Sequence, residues 1–217
     1  MSRRPNLAPR IAQFLSALVV LTALVATPAP ASAQGAHPSA VAPDSLRRIQ
    51  SVEPRNGPVG TMVAVYTENL PMQARVHVGV GRTGFGWEAL AEGAQGELGE
   101  VSATVRVPDF ATWDRPLVFI IFNGIFSPIG ISEPFHVTNS DGLLRRVGRI
   151  TDEGVECLAM RDQDDFLYTL TGEVGGLEPG DEVVVEATYQ EMSMCQQGST
   201  IQVVRVVDIG PNRDGWR

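Results

Sequence analysis

The chain has 217 residues, a net charge of −8 at pH 7, and 6% aromatic residues set against 22 glycines and 15 prolines. That length accommodates one or two domains, and heavy use of Gly and Pro suits many short strands joined by turns. A negative surface repels phosphate backbones and anionic lipid, which argues against nonspecific nucleic-acid binding and electrostatic membrane docking.

The first 33 residues read as a secretory signal peptide. Arg3, Arg4 and Arg10 make a basic start, Ile11 to Val25 an apolar core, and Ala31-Ser32-Ala33 a cleavage site before Gln34. The apolar core of 15 residues falls short of the roughly 20 that a membrane-spanning helix needs. Cleavage removes three arginines and no acid, leaving the exported chain at −11. Residues 34–47 form a small-residue linker, so the protein is expected to be periplasmic or extracellular, with no membrane attachment after cleavage.

A first β-domain is predicted over 48–138. Val63 and Val65 share one face of a strand over 61–66. Val76, Val78 and Val80 alternate with Arg75, His77 and Gly79, and Val101 to Val107 alternates in the same way. That period of two marks strands with one buried face. Asn123-Gly124 lies between the apolar runs 117–122 and 125–131 and predicts a two-residue hairpin turn. The run 117–122 is apolar on both faces, so one face serves the core. The other is covered by the protein's own parts or meets a partner, which makes Phe119 and Ile121 a candidate partner surface. Gly79-Val80-Gly81-Arg82-Thr83-Gly84 has dinucleotide-loop spacing but lacks a βαβ unit. It reads as a Gly-rich loop carrying Phe85 and Trp87, two candidate binding aromatics.

The run I-x-S-V-x-P-x-x-G-P-V-G-T-x-V-x-V from Ile49 to Val65, with Asn69-Leu70 and the closing Phe135-His136-Val137, resembles the IPT/TIG family of immunoglobulin-like domains. The resemblance covers about 90 residues and implies a β-sandwich. The chain departs from the family pattern after the second strand, where Tyr66-Thr67-Glu68 stands in place of the usual Gly.

Residues 139–142 form a polar boundary. Beyond it, strands over 143–151, 154–161, 166–172, 182–190 and 200–209 predict a small five-stranded barrel of OB type over 143–210, followed by a tail over 211–217. The pattern carried by Gly148, Gly154, Cys157, Tyr168, Leu170, Gly172, Gly180, Cys195 and Gly198 resembles short exported bacterial domains of OB-like type, a resemblance that supplies no activity. Cys157 and Cys195 are the only cysteines, and in an exported protein they are expected to form a disulfide. The binding face of OB-like barrels makes Tyr168 a further candidate. Asp162, Asp164 and Asp165 offer oxygen ligands for a weak calcium candidate but lack the rest of an EF-hand loop. Glu173, Glu178, Asp181, Glu182, Glu186 and Glu191 read as a solvated surface.

No His-Glu-x-x-His, Walker or G-x-S-x-G motif occurs, and no cofactor is implied. The expectation is an all-β, exported, non-catalytic binding or interaction protein of the bacterial envelope, with an envelope protein or a glycan as partner. The alternatives are a structural spacer and a carboxylate-using hydrolase or its accessory.

Overall fold

The computed structural model describes residues 47–82, 86–195 and 197–210. The expected signal peptide, most of the expected linker, Phe85 and the tail lie outside these residues. Among the described residues every element is a strand, and no helix is long and apolar enough to cross a membrane.

The first half contributes β1 (Arg47–Arg48), β2 (Ser51–Glu53), β3 (Asn56–Gly57), β4 (Met62–Thr67), β5 (Val76–Arg82), β6 (Gly86–Gly93), β7 (Val101–Arg106), β8 (Val118–Asn123), β9 (Pro128–Ile131) and β10 (His136–Val137). They build a sandwich of a five-stranded sheet, β1-β9-β8-β5-β6, and a three-stranded sheet, β2-β4-β7, with β3 and β10 as a short parallel pair. The alternating valines of β4, β5 and β7 point into the space between the sheets, as their period requires.

Phe119 and Ile121 lie in this core, fully buried, with Phe119 edge-on to Phe135 at 5.8 Å. The proposed partner surface is therefore corrected: these are the inward residues of β8. The outward side is covered by the sandwich's own aromatics. Trp87 sits 4.3 Å from Phe122, and Phe126 stacks on His77 at 4.5 Å.

Two local readings also change. The hairpin after β8 is not a two-residue turn. Asn123 Oδ1 accepts from the Ile125 and Ser127 amides, and Phe126 takes a positive φ of 59°. This four-residue loop, held by the Asn123 side chain, swings Phe126 back over Trp87. The described part of the Gly-rich segment, Gly79 to Arg82, is strand rather than loop. Gly79 and Gly81 belong to β5, where a Cβ would meet the Glu88 carbonyl oxygen at 2.6 Å and the Gly86 carbonyl oxygen at 2.7 Å. Those glycines allow β6 to approach.

The second half contributes β11 (Leu144–Thr151), β12 (Leu158–Asp162), β13 (Leu167–Gly172), β14 (Glu182–Gln190) and β15 (Ser199–Gly210). They close into a barrel in the order β11-β12-β13-β15-β14, with β13 and β15 parallel and the other pairs antiparallel. The fold is thus all-β, a sandwich followed by a five-stranded, OB-like barrel. Register shifts at Val184/Val185 and Glu186/Ala187 bend the long β14–β15 pair around the barrel. Leu144, Ile150, Met160, Leu170, Val185, Ile201 and their neighbours fill the interior. Cys157 lies just ahead of β12 rather than on a strand, and it bonds to Cys195 as expected.

Candidate functional site

Arg146 lies on β11 in phase with Leu144 and Ile150, so alternation turns it toward the barrel interior, and it is 0% exposed. A buried guanidinium must spend its donors on partners. Nε donates to the Tyr168 hydroxyl at 3.0 Å. Nη1 donates to the carbonyls of Trp113 at 3.0 Å and Arg145 at 2.7 Å. Nη2 meets His136 Nδ1 at 3.3 Å. Trp113 and His136 belong to the sandwich, so the barrel's buried charge is bonded across the junction. Asp162 interacts with the Tyr168 phenol and with the Arg146 charge, which supplies the balancing carboxylate at one remove.

These bonds fix the state of His136. Arginine only donates, so Nδ1 is the acceptor and the proton sits on Nε2, which donates to Ser199 Oγ at 3.2 Å. Burial, and then the charges of Arg146 and Arg55, hold the imidazole well below its ordinary range. Its ring stacks on Tyr189 at 4.7 Å and meets Tyr168 edge-on at 5.6 Å. A serine and a histidine in contact invite comparison with a nucleophile and its base, but here the nitrogen facing Ser199 already carries its proton. The pair is not arranged to activate that hydroxyl.

Two surfaces adjoin the junction. One is a polar groove of 440 Å³ lined by Arg48, Arg55, Glu133, Tyr189, Glu191 and Ser199, among others. Arg48 and Glu133 form an ion pair at its edge. The other lies around the loops 152–157 and 191–198. The disulfide joins them with Cα atoms 5.7 Å apart, and a bond from the Val155 amide to Gln197 Oε1 at 3.2 Å joins them again. These loops carry Val155, Met192 and Met194 at 81%, 90% and 80% exposure. They also carry Asp152, Glu153, Glu156 and Glu191 and no basic residue.

The residues expected to bind are not brought together. Tyr168 is fully buried and serves Arg146, so its role as an exposed contact is corrected. Trp87 is on β6, half-exposed, with its ring against Phe122 and Phe126. The acidic turn is structural. Asp162 Oδ1 accepts the amides of Asp164 and Phe166, Asp164 pairs with Arg115 of the sandwich at 3.0 Å, and Asp165 pairs with Arg161. No group of three His, Cys, Asp or Glu side chains suited to a metal occurs among the described residues. Glu186, expected in solvent, is buried and bonded to Arg205 at 2.5 Å.

Sequence reasoning missed Arg146 and His136. Arg146 was detectable as an arginine at an inward position of a strand. His136 had no comparable signal, because β10 is two residues long and its partner on Arg146 comes from another domain. Comparison with protein-family models, curated proteins and solved structures finds no match.

Proposed function

We propose that this is an exported, non-catalytic binding protein of the bacterial envelope. Its IPT/TIG-like sandwich carries an OB-like barrel whose disulfide-joined loops grip a protein partner. The observation that carries this reading is the exposure of Val155, Met192 and Met194 on two loops that a covalent bond holds together. Large apolar side chains so exposed on joined loops suit a contact surface, and methionine adapts to irregular apolar partners. The acidic residues around them and the net charge of −8 select a partner segment that is both apolar and basic. The signal peptide and the disulfide support export.

The test is fluorescence anisotropy of a labelled peptide of leucine and arginine against the oxidised, exported protein. Saturable, salt-sensitive binding is expected, weakened at least tenfold when Val155, Met192 and Met194 are all changed to serine. Equal binding by that variant, or by a leucine–glutamate peptide, sinks the reading.

A structural spacer is the second reading, favoured by the buried Arg146 bonds across the junction. It predicts that the serine variant is fully functional in the cell.

A further inference from the structure

The polar groove beside the junction holds three donors that the fold leaves free. The Arg55 guanidinium is half-buried and makes no hydrogen bond or ion pair among the described residues. Its charge nevertheless acts on both Tyr189 and His136, which places it near the stacked rings. The Tyr189 hydroxyl likewise has no partner among the described residues. The Ser199 hydroxyl accepts from His136 Nε2, so its own hydrogen is available to the groove. Free donors lining one concavity with a cation among them are what a ligand oxyanion requires.

Charge decides which anion fits. Among the lining residues, Arg48 and Arg55 are offset by Glu133 and Glu191, so the formal charges cancel. Arg48 is already held by Glu133, leaving one uncommitted cation. A dianion such as phosphate would meet Glu191 with too little positive charge, whereas a single carboxylate matches one guanidinium in its bidentate geometry.

We propose that the junction groove is a carboxylate-binding site, with Arg55 as the charged clamp and the hydroxyls of Ser199 and Tyr189 as the remaining donors. The 191–198 loop, with Glu191, borders both surfaces, but the groove contains none of Val155, Met192 and Met194, so the triple serine variant, expected to leave carboxylate binding unchanged, separates the two readings. The carboxylate is either a peptide C-terminus or a small free acid.

The test is amide and arginine side-chain NMR of the oxidised, exported protein titrated with four probes: acetate, trialanine, trialanine amide and inorganic phosphate. Saturable shifts confined to Arg55, Tyr189 to Ser199 and their neighbours are expected with trialanine, with acetate, or with both. Preference for trialanine identifies a chain terminus as the occupant, and equal binding identifies a small acid. Arg55→Gln is expected to weaken binding at least tenfold, and Tyr189→Phe, which keeps the ring on His136, about threefold. The proposal is overturned by the absence of saturable shifts, by trialanine amide or phosphate binding as well as the acids, or by undiminished binding to a folded Arg55→Gln protein.

Discussion

At the scale of single residues, the molecule turns on Arg146 and His136, the arginine fixing the histidine in its neutral form. Arg146 must donate, so His136 must stay neutral. The folded-state pKa of His136 lies well below the ordinary 6.5, through burial first and the charges of Arg146 and Arg55 second. As pH falls through the ordinary value, the unfolded chain takes up a proton that the folded chain refuses. Stability should therefore be insensitive to this group above about pH 6.5 and fall by up to about 1.4 kcal/mol per pH unit below it. Asp162, raised chiefly by burial, has the opposite sign: acidification relieves its cost, and it does so in the carboxylate range at lower pH. Urea denaturation at a series of pH values, repeated with His136→Gln, checks this. The slope just below pH 6.5 should flatten in the variant, and an unchanged slope would assign it to other groups. The Tyr168 hydroxyl has a related cost. Tyr168→Phe keeps the ring but strands Arg146 Nε in the barrel, which should cost about 1–3 kcal/mol.

At the scale of elements, strands with strong alternation were legible and those without it were not. β4, β5, β7, β11, β14 and β15 appear where the period of two places them. β6 was missed because Gly86-Trp87-Glu88-Ala89 offers little β-propensity and stays mostly exposed. Its pairing with β5 depends on Gly79 and Gly81, which read as loop formers when taken alone. The double-sided apolar run of β8 was legible as such, but which side faced inward depended on Trp87 and Phe126 arriving from outside the strand. The disulfide was legible from count and compartment. Its meaning, a clasp across two loops, needed the barrel order. The separation of 38 residues gives about 4 kcal/mol by loop-closure entropy. Changing both Cys157 and Cys195 to serine should remove stability of that order, measured by chemical denaturation. A loss below about 1 kcal/mol would mean that the loops are held by their other contacts.

At the scale of the whole molecule, sandwich and barrel belong to one compact unit, Ala40–Arg217. Polar bonds run between them: Arg146 to Trp113 and His136, and His136 to Ser199, in the buried and part-buried centre, and Arg115 to Gln163 and Asp164 nearer the surface. Parting the halves breaks all of these bonds together, a larger loss than one surface ion pair would impose. The two should therefore unfold together, with calorimetric and van't Hoff enthalpies in agreement. Arg146→Ala should lower stability by about 3 kcal/mol and split the transition in two. A single sharp transition in that variant would show that the halves are coupled by other means. This coupling was not visible in the sequence, where 139–142 read only as a polar boundary.

The order of the barrel strands also governs how the protein comes into being. β15 pairs with both β13 and β14, so the ring stays open until that strand arrives, and Cys195 travels just ahead of it. A chain made N-terminus first presents its sandwich strands early. His136 and the Trp113 carbonyl then wait in water for the barrel that will cover them. Correct oxidation, ring closure and burial of the junction thus converge on one late event, the arrival of the last barrel strand.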